Sequence, residues 1–507
     1  MPLRIARQCG PGWAPGLRGV PALTRAGLLL VVLGCGPTAA QAAGAQADPA
    51  PTERAVSPPA TWAAPAFPLA VEPGKRYLVD AAGTPFLMHG DTAWSLIADL
   101  TREEVDLYLD DRRARGFNTL LVNLIEQRFS TNPPANAYGE RPFLAQGSDA
   151  AAALAQWLPL GSGTSIATAF ADFASPNEAY FAHADWVLRR AAEEGFLVLL
   201  TPSYAGWDGG SQGWYQAMIA NGRDRLRAYG AYLGRRYRSF ANIMWVHGGD
   251  YHPPDKSLAR AIVEGIRAFD TRALHTAHGT PHTPVSDYWQ GEPWLQVSNV
   301  YTYGPVHAAA RKQHARPEGI PFFLIESAYE NEHGSTEQGL RAQAYQAILS
   351  GAAGQIFGNN PIWHFNGPGL YPAPMTWRQA LDSPGARSMT HLRALMAALP
   401  WWLLEPETEQ AFLVGGLGPE DTRAVAARAS DRSFALVYLP ESREITIDLE
   451  MLAGPKVVAR WYDPAGGRFL AVSGSPFPAS GRRPLKPEHD RNRSGFGDWV
   501  LVLESKS

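Results

Sequence analysis

The chain has 507 residues and a net charge of −3, with 45 Lys and Arg interspersed among 48 Asp and Glu. That balance removes the usual electrostatic case for nucleic acid, and after residue 33 no stretch is apolar for the ~20 residues that crossing a bilayer needs. Cys9 and Cys35, the two cysteines, both fall in the N-terminal segment, so the remainder has neither a disulfide nor a thiol nucleophile.

Residues 1–43 read as an export signal. Arg4, Arg7, Arg18 and Arg25 precede the apolar run Gly27–Leu33, and small-residue cleavage options lie between Ala40 and Ala47. Val-Leu-Gly-Cys at 32–35 is similar to a bacterial lipobox, so a membrane tether through lipidated Cys35 is the alternative to simple secretion. Residues 44–68, rich in Ala and Pro, read as a linker.

From 69 to 404 the pattern alternates between short apolar runs and amphipathic segments, as parallel strands joined by crossover helices require. The expected strands are Phe86–Trp94, Asn118–Ile125, Phe196–Pro202, Asn242–Asp250, His275–Pro281, Trp294–Tyr303, Pro321–Tyr329 and Gly354–Phe365. Eight of them predict a (β/α)8 TIM barrel, an α/β fold. Expected helices include one opened by Thr101 with Glu103 and Glu104 in its first turn, then Asn177–Glu194, Arg223–Tyr237, Asp255–Phe269, Thr336–Leu349 and Ser388–Leu399. The fifth and sixth units carry the faintest helical signals, because Asp287–Gly291 is short and His307–Arg316 is strongly basic. Thr131–Pro176 is an Ala/Gly/Pro/Ser-rich insertion after the second strand, a length that in a compact domain usually marks a functional or disordered loop.

Two of the runs end in a carboxylate: Asn-Ile-Met-Trp-Val-His-Gly-Gly-Asp at 242–250 and Pro-Phe-Phe-Leu-Ile-Glu at 321–326. Residues just past the C-terminal ends of barrel strands face the active-site mouth, so Asp250 and Glu326 are expected to meet there. Gly248 and Gly249 give the shorter Asp the backbone freedom to be brought forward. Such a pair suits glycosidic bonds, whose leaving oxygen must be protonated while a carboxylate attacks or stabilises the opposite face of the sugar. The 16 Trp, 18 Tyr and 20 Phe agree, since aromatic faces stack on sugar rings.

After about Glu405 the texture changes to short Val-rich runs between Gly, Asp and Pro turns: Ala411–Val414, Arg423–Arg428, Phe434–Leu439, Glu444–Leu449, Val457–Tyr462 and Trp499–Leu503. Residues 405–507 are therefore expected to form a small all-β sandwich. Trp401 and Trp402 at its edge predict a packed junction rather than a flexible tether.

Five motifs carry a family resemblance. His-Gly-Asp-Thr-Ala-Trp at 89–94, Arg-Gly-Phe-Asn-Thr at 115–119, Trp-Val-His-Gly-Gly-Asp-Tyr at 245–251, Ile-Glu-Ser-Ala-Tyr-Glu at 325–330 and Gly-Asn-Asn-Pro-Ile-Trp at 358–363 resemble the apiosidase-like glycoside hydrolases. The tail resembles the β-sandwich often attached to them, which carries a collagen-binding label. The resemblance implies Asp250 as acid/base and Glu326 as nucleophile. Apiose on a pectic galacturonate is the nearest activity it implies; the resulting reading is exo-type, retaining action on side chains of a polysaccharide or oligosaccharide, with an arabinofuranosidase-like or endo-acting glycanase left open. No cofactor is implied.

Asp91, Trp94, Asn123, His247, Tyr301, Tyr303 and Trp363 are the expected substrate-binding and supporting residues. Asp91 either holds a substrate hydroxyl or caps the next helix. His247 is expected to orient Asp250 or a substrate hydroxyl, Tyr301 and Tyr303 to bond the nucleophile, and Glu330 to compete with Glu326 for its role. Two other classes stay open: a metal-dependent hydrolase using His247, Asp250, His252, His275, His278 and His282, and a carbohydrate-binding protein without turnover.

Overall fold

The computed structural model describes residues 54–55, 62–144, 171–365 and 367–506. The expected export signal with Cys35, most of the linker and residues 145–170 of the insertion lie outside the described residues.

Eight parallel strands form the central sheet: β1 Met88–Thr92, β2 Thr119–Asn123, β3 Leu197–Thr201, β4 Ile243–Gly248, β5 Leu274–His278, β6 Ser298–Tyr301, β7 Phe322–Glu326 and β8 Gly354–Phe357. They run in the order β6-β7-β8-β1-β2-β3-β4-β5. At the seam between β5 and β6 the N–H groups of Gln296 and Val297 both donate to the His275 carbonyl, at 3.1 and 3.3 Å, completing the TIM barrel.

Side chains sort by the two-residue period of a strand. Met88, Leu121, Leu199, Met244, Val246, Phe323, Ile325 and Ile356 fill the barrel interior. Leu120, Val122, Val198, Leu200, Ile243 and Trp245 have the opposite parity and pack beneath the helices. Both faces of every strand are thus dry, which is why the runs are continuously apolar. A small antiparallel sheet of Ala70–Val71, Leu78–Val79 and Pro85–Phe86 adds Leu78 and Phe86 to the interior cluster at the N-terminal end of β1.

The helices start where capping chemistry allows. In α1 (Arg102–Ala114) the Thr101 hydroxyl accepts from Glu104 N–H and the Glu104 carboxylate accepts from Thr101 N–H. Asn177 caps α2 (Glu178–Glu193). The helix expected over Arg223–Tyr237 is the second part of α3 (Tyr215–Tyr237), which continues back across a kink at Gly222, where φ is 69°. α4 is Ser257–Arg267. The fifth unit has only the single turn Val285–Tyr288, and the basic segment after β6 forms α5 (Val306–His314), with Arg311, Lys312 and His314 in its last turn, where cations suit the helix dipole. α6 is Glu337–Leu349. α7 (Pro384–Ala397) starts four residues earlier than expected, because Ser383 accepts from Ala386 N–H and Pro384 suits the first helical position.

The C-terminal part is a sandwich. Its larger antiparallel sheet runs Arg54–Ala55, Arg468–Ala471, Lys456–Asp463, Trp499–Lys506, Phe434–Leu439, Val425–Ala429, Leu404–Pro406. The smaller sheet is Leu413–Gly415, Ile445–Asp448 and Arg482–Leu485. Ala435, Val437, Leu439, Leu501 and Leu503 face the smaller sheet. Phe434, Leu436, Tyr438, Val500 and Val502 instead join the cluster that lies under the barrel helices. The larger sheet is therefore buried on both faces, by its partner sheet and by the barrel.

Specific contacts seal that contact. Tyr438 stacks flat on Tyr345 of α6, with ring centres 4.9 Å apart. Arg341 of α6 binds Asp498 through two bonds of 2.7 and 2.8 Å, and both side chains are fully buried. Trp401 is buried at the junction, edge-on to Tyr77, while Trp402 is partly exposed. The described residues belong to one compact unit. The linker region also takes part: Arg54–Ala55 pairs with Arg468 and Phe469, and Trp62 lies under the Arg393 guanidinium at 5.1 Å.

Candidate active site

The C-terminal ends of β4, β5 and β7 bring three ionisable side chains together. Glu326 is the last residue of β7, His278 the last of β5, and Asp250 follows β4 by two residues. Gly248 makes that approach: its φ is 100°, and a Cβ there would stand 2.5 Å from the His278 carbonyl oxygen. At Gly249 a Cβ would stand 2.7 Å from Ala205 N. The chain after β4 can press against β5 and the loop after β3 only with two glycines in sequence.

His278 bridges the carboxylates. Its Nε2 lies 3.0 Å from Glu326 Oε2, and its Nδ1 lies 3.2 Å from Asp250 Oδ1. Tyr301 donates to Asp250 Oδ2 at 3.2 Å, Tyr303 donates to Glu326 Oε1 at 3.4 Å, and the two phenols are 3.0 Å apart. Donor atoms of Asp250, His278 and Glu326 all lie within 4.8 Å of one another. Among the described residues this is also the one group of three whose spacing could hold a metal ion. Both ring nitrogens of its imidazole already face carboxylates.

Burial and the neighbouring Glu326 charge push the Asp250 carboxyl up to about 7, against the opposing pull of His278 and Tyr301. Burial alone would lower His278, but its hydrogen bond to Glu326 and the charges of Asp250 and Glu326 outweigh burial and hold it above the ordinary imidazole value. The Asp250 carboxyl is thereby kept protonated to near neutrality, with Glu326 beside it on the other side of the imidazole.

The triad opens into a pocket of about 700 Å³. Trp94, Phe129, Tyr204, Trp207, Tyr329, Trp363 and Tyr371 supply aromatic walls, and Asn123, Gln212 and Glu332 supply polar ones. Trp94 donates from its indole to Tyr329 at 3.3 Å, and Trp363 donates to Glu332 at 2.8 Å. Asn123 is buried, and its Oδ1 has no hydrogen-bond partner, leaving an acceptor free for a substrate hydroxyl.

Of the residues expected from sequence, Asp250, Glu326, Trp94, Asn123, Tyr301, Tyr303 and Trp363 line this pocket. Tyr301 reaches Asp250 rather than Glu326; Tyr303 is the phenol at Glu326.

Two of the expected substrate-binding residues lie away from the pocket. Asp91 neither binds substrate nor caps a helix. It sits within β1 with its side chain turned to the helix layer, fully buried against Arg112 at 3.3 Å and Tyr108 at 2.9 Å on α1. His247 likewise points away from the mouth, with Nε2 2.9 Å from His275 Nδ1 and its ring stacked on that neighbour; burial holds it well below the ordinary imidazole value. His278 takes the orienting role expected of His247. Its position at the end of β5, matching that of Glu326 at the end of β7, was the available signal.

Glu330 is no competitor for Glu326. Its carboxylate accepts from Ser383 Oγ at 2.6 Å, Asn359 Nδ2 at 2.7 Å and Gly385 N–H at 2.8 Å, tying β7 to α7 outside the pocket. The histidines considered as metal ligands also scatter: His252 stacks on Tyr288 and His282 bonds Thr302. Sequence reasoning did not single out Tyr204, Trp207, Gln212 or Glu332, all of which sit on loops past strand ends where no periodicity marks them.

A TIM barrel whose mouth holds two facing carboxylates in an aromatic pocket is the construction of a glycoside hydrolase. The comparisons agree. Residues 72–403 match the family model "Apiosidase-like, catalytic domain", so the chain belongs to the apiosidase-like glycoside hydrolases. Residues 408–504 match "Putative collagen-binding domain of a collagenase". A glycoside hydrolase family 5 structure from Bacteroides vulgatus is similar at 24% identity and a TM-score of 0.70, over 86% of this chain and 92% of its own. A second solved structure, described as a glycoside hydrolase, has the same identity and TM-score over 87% of this chain and 97% of its own. No curated protein matches the chain.

Proposed function

We propose that this glycoside hydrolase acts by double displacement with retention, removing a terminal sugar from polysaccharide side chains. The observation that carries the reading is the approach of Asp250 and Glu326, whose oxygens lie within 4.8 Å across one imidazole. Retaining enzymes hold the pair about 5 Å apart, and inverting ones leave room for a water between them. A pocket of about 700 Å³ favours a small glycone over a long polymer groove.

The steps follow from the hydrogen bonds. His278 holds Glu326 Oε2, so Oε1 is the freer oxygen to attack the anomeric carbon. As the glycosidic C–O bond breaks, the Asp250 carboxyl gives its proton to the leaving oxygen. Asp250, now a carboxylate, takes a proton from a water whose oxygen attacks the same carbon and frees Glu326. Tyr301 holds Asp250 through its hydrogen bond in both stages, with the His278 ring 3.2 Å away.

The raised Asp250 pKa fixes the sign of one pH limb. The protonated form needed for the first step is present below about 7 and lost above it, so kcat/KM is expected to fall as pH rises through that value. Glu332 is pushed by burial to about 7 as well, so variants are needed to assign the limb. Asp250→Asn is expected to remove the limb and to cut activity by about 10²–10⁴ on substrates with poor leaving groups, far less on activated aryl glycosides. Equal losses on both substrate types, with the limb kept until Glu332→Gln removes it, would overturn the acid role. Release of the sugar first as its retained anomer, followed by NMR, tests the stereochemistry.

The metal reading rests on the same three side chains, and activity that disappears on dialysis against a chelator and returns with added cation would favour it. The sequence of residues 1–43 supports export, with a membrane tether through lipidated Cys35 as the alternative to simple secretion. Labelled palmitate entering the full-length protein in a bacterial host, and not its Cys35→Ala variant, would establish the tether; absence from both is the result expected of simple secretion. Apiose is the sugar that the family's description brings forward, and its attachment to a pectic galacturonate is what the sequence resemblance implies. The charge around the pocket bears on its galacturonate half.

A further inference from the structure

We propose that the pocket selects an uncharged substrate, a neutral sugar on a neutral leaving group that lies on an apolar rim, and discriminates against an adjoining uronate. The inference rests on the glycoside hydrolase reading and narrows its substrate class.

Its first support is the absence of a permanent cation. The described residues that line the pocket include Asp250, Glu326 and Glu332 and no Lys or Arg. Arg128, on the loop after β2, donates to Ser211 Oγ at 3.3 Å and is not on the wall. His333 is the one basic side chain there, set edge-on against Tyr371 with ring centres 4.6 Å apart. The sequence of residues 145–170 contains no Lys or Arg either, so that segment cannot supply the missing partner. A uronate carboxylate in this pocket would lose water against aromatic rings and meet acids instead of a guanidinium, and an unpaired charge in such surroundings is costly.

The second support is the rim. Trp207, Tyr303, Leu370 and Tyr371 all line the pocket and are 39–54% exposed, which places four of the molecule's exposed large apolar side chains around one opening. Rings and a leucine side chain offer stacking area for the apolar face of a neutral sugar or an aryl group, and nothing for an anion. The polar groups deeper in, Asn123 Oδ1 and Gln212, suit hydroxyls.

A matched pair of substrates tests the proposal: 4-(methoxycarbonylmethyl)phenyl and 4-(carboxymethyl)phenyl β-D-apioside, assayed with the full-length protein at pH 7.5 and low salt. The methylene insulates the phenol, so the two differ in charge rather than in leaving-group chemistry. The ester is expected to have at least about a tenfold higher kcat/KM. Leu370→Arg, which puts a cation on an exposed rim position, is expected to narrow that ratio several-fold by improving the acid, with added salt reversing the gain. An acid hydrolysed as well as its ester, or better, overturns the proposal.

If neither compound is hydrolysed, the apioside reading fails on its own terms, and titration of tryptophan fluorescence with the same pair still decides the charge preference. At least about tenfold tighter binding of the ester sustains it. Equal binding, or none by either, overturns it.

Discussion

Glu326→Ala is expected to lower kcat by about 10⁴-fold or more, the scale seen when a nucleophile is removed from a set of groups that act together. Glu326 is the one carboxylate at the end of β7 that both faces the pocket and is held by an imidazole, with His278 at 3.0 Å on Oε2 and Tyr303 at 3.4 Å on Oε1. Alanine leaves a small void against the anomeric carbon, into which azide fits. Added azide is therefore expected to restore turnover and give a glycosyl azide of inverted configuration, because it attacks from the face the carboxylate occupied. More than about a tenth of the wild-type rate in Glu326→Ala would remove the residue from this role, since even a single positioned proton-transfer group is worth more than that. Glu330→Ala should not mimic the effect. Its carboxylate serves Ser383, Asn359 and Gly385, so its loss is expected to lower stability.

Arg341→Met is expected to destabilise the whole protein by about 3–5 kcal/mol, the cost of leaving a buried charge without its partner. Arg341 lies on α6, Asp498 lies just before the Trp499–Lys506 strand of the sandwich, and neither is exposed. Tyr438 at 3.1 Å and Asn492 at 2.7 Å also bond Asp498, so its carboxylate stays buried when the guanidinium is gone. Arg341→Met with Asp498→Asn is expected to recover part of the loss, because the second change removes the orphaned charge. The midpoint of urea unfolding reads both variants. A loss below about 1 kcal/mol for Arg341→Met would show that the pair is not what joins barrel to sandwich.

The sequence alone determined the elements and their order. Continuous apolar runs of strand length, helices with capping residues before them and acidic residues in their first turns, and a change of texture near Glu405 are local signals that depend on chain stereochemistry and burial. Two strand-end carboxylates were legible for the same reason, since a charge that ends an apolar run needs a solvent-facing or partnered location. Which side chains converge was decided only by the tertiary structure. A period of two says that neighbours face opposite ways, but it does not say which face looks into the barrel mouth, because that depends on strand tilt and register with strands far away in sequence. Asp91 and His247 were therefore expected at the mouth beside Glu326, while His278 was read only as a possible metal ligand, and the closed barrel turned Asp91 and His247 toward Arg112 and His275. The same limit applies to Phe-Ala-Leu-Val-Tyr-Leu at 434–439, which reads as a strand from sequence. Only the packed molecule shows that Ala435, Val437 and Leu439 face the sandwich while Phe434, Leu436 and Tyr438 face the barrel, because burial of the second face is a property of the neighbour that covers it.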